Sequence, residues 1–68
     1  MTVRELRCDR LMTQAQLARK ARVAVRTVTN VEAGRRCRMD VQRRLLIALG
    51  VPFGRRVEVF GEMRRRVA

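Results

Sequence analysis

The chain has no histidine, no tryptophan and no tyrosine, and its only aromatic side chains are Phe53 and Phe60. Histidine is the usual general base near neutral pH and a frequent zinc ligand. Without it, and with only six carboxylates, no acid–base pair or metal site assembles from the sequence. An enzyme is therefore not expected, nor is any cofactor or metal. Two cysteines, Cys8 and Cys37, are too few for a disulfide-stapled secreted scaffold. Reduced thiols in a cytoplasmic protein are the expectation. Arg36 and Arg38 flank Cys37 with the kind of charge that lowers a thiol pKa. No apolar run approaches membrane-spanning length and no signal-peptide pattern opens the chain. With so few aromatics, Val, Leu, Ile, Ala and Met must fill the core, which suits packed helices better than a sandwich or barrel.

What the chain has in abundance is positive charge. Its 68 residues carry 17 basic against 6 acidic side chains, a net charge of +11. All the basic residues except Lys20 are arginine. Two causes of that bias can hold together: a GC-rich coding sequence, and bidentate contact with phosphate and guanine. Position is more telling than the total. Residues 1–9 balance to zero, residues 10–50 hold ten positive against two negative charges, and residues 51–68 five against two. The excess falls on the middle of the chain, which favours polyanion binding over a merely solvated surface. A chain of this length forms one domain, 1–68, near the lower limit of what folds alone.

Apolar spacing divides the chain into about five short helices, an all-α bundle. The first runs from Val3 to Arg10 or Leu11, with Val3, Leu6 and Arg10 on one stripe. Thr13 is expected to cap the second, Gln14 to Ala21, through a T-x-x-Q capping box with Gln16. That helix buries Leu17, Ala18 and Ala21. Arg22, Val23 and Ala24 make a turn, and a third helix from Val25 to about Ala33 ends at Gly34. Residues Arg35 to Met39 form a basic loop. Asp40 then caps or opens a fourth helix ending at Leu49 before Gly50, with Val41, Leu45, Ala48 and Leu49 inward and Met39 joining from the loop. Pro52 can start a fifth helix over about 53–66, with Val57, Phe60 and Met63 or Val67 at helical spacing.

Residues 13–34 thus read as two short helices joined by a tight turn. On the third helix, Val28 and Val31 point to the core while Val25, Arg26, Thr29 and Asn30 gather on the opposite side. Each suits a base edge in the major groove: arginine for guanine O6 and N7, asparagine for adenine N6 and N7, the methyls of Val25 or Thr29 for thymine. A solvated polar face is the alternative. Two neighbours favour DNA. Thr13 and Gln14 stand at a helix start, where the Gln14 N–H and amide can hold a phosphate, and Arg35, Arg36 and Arg38 follow the third helix where the flanking backbone would pass.

The sequence resembles the Cro and phage-repressor type of helix-turn-helix proteins, the XRE-like, lambda-repressor-like family. The resemblance rests on V-R-E-L-R at 3–7, M-T-Q-A-Q-L-A at 12–18, T-V-T-N-V-E-A-G at 27–34 and A-L-G-V at 48–51, and covers roughly residues 3–57. It implies that Gln14 contacts a phosphate, that Val25, Arg26 and Asn30 meet bases, and that Thr27, Arg35, Arg36 and Arg38 contact the backbone. It also implies an ion pair between Arg7 and Glu32. The family usually has glycine where Arg22 stands, a Ser or Thr cap where Ala24 stands, and an aliphatic residue where Gln42 stands. Arg22 then either adopts the strained turn while reaching a phosphate, or the turn differs.

These features lead to a sequence-specific regulator of transcription, a repressor, binding double-stranded DNA as a homodimer on an inverted repeat. One reading helix covers only a few base pairs, so specificity calls for two half-sites. Phe60, Met63 and Val67 are the candidate dimer surface, with a role in one subunit's core as the alternative. An antitoxin-like module with a small protein partner, also binding its own promoter, is a second reading. RNA binding is a third, disfavoured by the lack of Tyr and Trp stacking platforms.

Overall fold

A computed structural model describes residues 2–60. Five α-helices follow one another: α1 (Val3–Asp9), α2 (Gln14–Ala21), α3 (Val25–Glu32), α4 (Met39–Leu49) and, after a 3₁₀ turn at Phe53–Arg55, α5 (Arg56–Phe60). No strand occurs among the described residues. Helices this short are marginal alone, so packing and caps must hold them. The core is aliphatic: Leu17, Val28, Leu45 and Leu46 are fully inaccessible, with Val3, Leu6, Ala18, Ala21, Val31, Ala48, Leu49 and Phe60 around them. Helix α2 packs on both α3 and α4, so the two helices of the motif share a buried face with the longest helix behind them.

The N-terminal caps of α1 and α2 are the same device used twice. The Thr13 hydroxyl accepts from the Gln16 N–H at 3.0 Å while the Gln16 side chain accepts from the Thr13 N–H at 2.9 Å. Thr2 and Glu5 repeat this reciprocal pair before α1 as a T-x-x-E box, beyond the one expected at Thr13. Helix α3 starts without such help: Ala24 makes no side-chain cap.

The C-terminal ends of α1 to α4 are also alike. Leu11, Arg22, Gly34 and Gly50 all take positive φ, at 55°, 61°, 92° and 74°. After each, the next N–H reaches back five residues, Met12 to Arg7, Val23 to Ala18, Arg35 to Asn30 and Val51 to Leu46, at 2.9–3.2 Å. This bond consumes a carbonyl the helix leaves unpaired. Only two of the four left-handed positions hold glycine. At Arg22 the turn keeps the geometry of a glycine-bearing one, with a second support: Arg44 Nη1 on α4 donates to the Arg22 carbonyl at 3.1 Å. A left-handed non-glycine residue costs roughly 1–2 kcal/mol, partly offset by the chain entropy that glycine would lose. Arg22→Gly is therefore expected to raise folding stability by up to ~1 kcal/mol, read from chemical denaturation; lower stability would show that the arginine side chain matters more than its φ.

Several inward positions differ from the sequence expectation. Helix α1 stops at Asp9, so Arg10 is exposed; its Nη1 returns a hydrogen bond to the Leu6 carbonyl at 3.2 Å and lies 3.7 Å from the Asp9 carboxylate. Helix α4 starts at Met39, with Arg38 at the cap position and Asp40 in the first turn. Its buried stripe is Gln42, Leu45, Leu46 and Leu49, with Ala48 beside it. Val41 is only half-buried and Met39 is exposed. Gln42 fills the slot expected to be aliphatic, and its amide donates to the Cys37 carbonyl at 3.4 Å, which pairs the buried group.

In the last segment the 3₁₀ turn, with three residues per turn, shifts the phase. Val57 is exposed, while Val59 and Phe60 pack on the core and the guanidinium groups of Arg43 and Arg56 each stand over the Phe53 ring, 4.9 Å from its centre. Phe60 is thus a core residue and not a free dimer surface. Met63, Val67 and the remainder of the expected 53–66 helix lie outside the described residues.

Candidate nucleic-acid interface

Helix α3 buries Val28 and Val31 and turns Val25, Arg26 and Thr29 outward, all exposed, with Val25 45% accessible. Asn30 and Thr27 are half-buried on the flank toward the basic loop. There they line one shallow pocket with Arg36, Cys37, Arg38, Val31 and Val41. Arg35, Arg36 and Arg38 are all exposed. Arg38 lies 3.9 Å from Asp40, a loose contact between two well-exposed groups. Arg26, Arg35 and Arg36 have no carboxylate partner among the described residues. Among the described residues the outward face of α3 therefore carries one unpaired guanidinium, and its end carries two more.

On the other flank a polar network ties three helices together. Arg7 of α1 donates to both oxygens of Glu32 at the end of α3, from Nε at 2.7 Å and Nη2 at 3.2 Å, while Nη1 donates to the Met12 carbonyl at 2.8 Å. The two side chains are only 13% and 6% accessible, so this is a bidentate ion pair largely removed from water. Burial pushes the Glu32 carboxyl up, but hydrogen bonds from Arg7 and Gln14 and the charges of Arg7 and Arg4 together hold it below the usual range. The hydrogen bond to Glu32 raises Arg7 in turn, against burial, with the Glu32 and Cys8 charges adding to it. Both groups stay charged.

Gln14, at the first position of α2, joins this network through its side chain. Its Nε2 donates to Glu32 Oε1 at 2.9 Å, and its Oε1 accepts from the Thr29 hydroxyl at 3.2 Å. The Gln14 amide, expected at a phosphate, is engaged within the fold through Oε1 and one of its two N–H groups. The anion-facing groups left at this helix start are the N–H donors of Gln14 and Ala15, which precede the first bonded N–H groups of α2 at Gln16 and Leu17. Thr13 is spent on its capping box. Arg22 places its exposed side chain at the opposite end of α2, at the turn into α3. The Gln14–Thr29 and Gln14–Glu32 contacts span 15 and 18 residues, and nothing in the spacing signals them. The same is true of Arg44 at the turn carbonyl.

Cys37 is partly buried. Burial pushes its thiol up, and the Asp40 charge adds to that against a lowering hydrogen bond with Gln42. The flanking arginines do not make it a ready thiolate. Both cysteines are free. Among the described residues no helix is long and apolar enough to cross a membrane.

Two helices at a tight turn, an outward basic and polar face on the second and exposed arginines just beyond it define a helix-turn-helix DNA-binding domain. A helix-turn-helix family model matches residues 3–55, and the chain belongs to that family, the Cro- and XRE-like helix-turn-helix proteins. It is thus a DNA-binding domain of the transcription-regulator class. No curated protein and no solved structure matches the chain.

Proposed function

We propose that the protein is a cytoplasmic repressor that reads double-stranded DNA by laying α3 in the major groove. The observation that carries this reading is the outward face of α3, where exposed Val25, Arg26 and Thr29 stand beside half-buried Asn30 while Val28 and Val31 fix the helix to the core. Arg26 takes guanine O6 and N7, Asn30 a neighbouring adenine, and the Val25 methyls a thymine methyl. The N–H groups at the start of α2, with Arg22, Thr27, Arg35, Arg36 and Arg38, hold phosphates on either side and fix register without reading sequence. The protein acts as a homodimer on an inverted repeat, because one such helix covers too few base pairs for useful specificity.

Selection of bound duplexes from a random pool tests this reading. A symmetric motif with half-sites one helical turn apart is expected; recovery of sequences without any shared motif would remove the specific reading. Two substitutions separate reader from anchor. Arg26→Ala should cost ~1–3 kcal/mol on the selected site and relax one base position. Arg36→Ala should weaken selected and random DNA alike and reduce the salt slope by about one charge. Titrations at several salt concentrations measure both. Equal losses by both variants on every sequence would mean that the two roles are not divided between these residues.

A further inference from the structure

We infer that Gln14 and Thr29 together form a two-oxygen acceptor that selects a base bearing an exocyclic amine, adenine or cytosine, at one position of the half-site. The inference rests on α3 lying in the major groove and adds a reader from α2 to that reading. It follows from how hydrogens are distributed in the Gln14–Glu32–Thr29 network. The Thr29 hydroxyl has a single hydrogen and two internal acceptors for it, Gln14 Oε1 and the Val25 carbonyl, both at 3.2 Å. Whichever it uses, that hydrogen is spent within the protein and the oxygen keeps lone pairs for a donor.

Gln14 has two possible amide orientations, and Glu32 decides between them. The observed one sets Nε2 against the Glu32 carboxylate at 2.9 Å. Flipping the amide would place Oε1 against a carboxylate that Arg7 holds bidentately and would break the bond from Thr29. Gln14 Oε1 is therefore turned toward Thr29, and Thr29 is exposed on the outward face of α3. The pair presents oxygens where a helix in the groove meets base edges. Only adenine N6 and cytosine N4 offer donors on that side of the duplex, whereas guanine and thymine offer acceptors there. Arg26, a donor without acceptor capacity, seeks the opposite kind of edge. One helix face thus carries both halves of a donor–acceptor code, and Arg7 reaches recognition indirectly as a residue that positions Gln14 through Glu32.

The experiment compares motifs selected by the wild type with those selected by Thr29→Val, Thr29→Ser and Gln14→Met. Thr29→Val keeps the shape and the methyl but removes the hydroxyl. It should lose about tenfold preference at one position, and Gln14→Met should lose preference at that same position. Thr29→Ser should retain it. Duplexes in which purine replaces adenine, or pyrimidin-2-one replaces cytosine, then lack the amine at that position. They should bind the wild type about tenfold more weakly and Thr29→Val no worse than the natural duplex; the analogue that has this effect identifies the base. Thermal melts establish that each variant is folded. Uniform weakening by Gln14→Met with every position unchanged would overturn the inference and leave Gln14 an anchor. So would full wild-type affinity for the amine-free duplexes. A wild type that selects no motif would instead remove the groove-reading assignment beneath it.

Discussion

Arg7→Ala is expected to lower folding stability by ~3 kcal/mol or more, because it leaves the largely buried Glu32 carboxylate without its cation. For a domain of this size that corresponds to a fall in melting temperature of roughly 12–24 °C, readable by circular dichroism. The loss includes more than the pair. Arg7 also fastens the Met12 carbonyl just before α2, so the variant loosens the link between α1 and the motif. Acid should produce a related weakening. The Glu32 carboxyl is held below its ordinary range, so its stabilising contribution is complete above the unfolded value of about 4.3 and is lost as pH falls through the folded value. The wild type should therefore lose more stability than Glu32→Gln on acidification, and the gap between them should narrow. Parallel curves for the two proteins would show that the carboxylate charge does not contribute.

Phe60→Ala is expected to cost ~3–5 kcal/mol, the usual penalty for truncating a buried phenylalanine. The cost should not depend on protein concentration, since the ring packs within its own chain. If the substitution instead left dilute protein as stable as the wild type and weakened self-association in sedimentation runs, Phe60 would belong to an interface between subunits. The homodimer reading itself does not need Phe60, because it derives from the few base pairs that one reading helix covers.

The extent of α2, the two-oxygen cap at Thr13 and the stop at Gly34 were legible because each depends on residues within one or two turns. The burial of Leu17, Ala18 and Ala21 followed from the same 3.6-residue period. Two kinds of feature were not legible. One is phase: in α4 a shift of one residue puts Gln42 at the core in place of Val41, and after the 3₁₀ turn a shift of two puts Val59 there in place of Val57. The other is contact across the fold. The Arg7–Glu32 contact, 25 residues apart, could be anticipated only through family resemblance. The links from Gln14 to Glu32 and Thr29, and from Arg44 to the Arg22 carbonyl, needed the packed helices. The polar residues of α3 were readable as a face, but the internal use of the Thr29 hydrogen was not.

The shared ending of α1 to α4 has a consequence for the thermodynamics of association. In each case a left-handed residue and two backward backbone bonds turn the chain within a few atoms, so the joints around the motif carry little slack. The angle between α2 and α3 is set in the free protein by main-chain geometry, with Arg44 bracing the one joint within the motif. Little of the interaction energy is then consumed in ordering the motif, which favours affinity through preorganisation. The same stiffness restricts adaptation: DNA sites whose groove width departs from the fitted one must themselves deform, and the duplex takes up the strain.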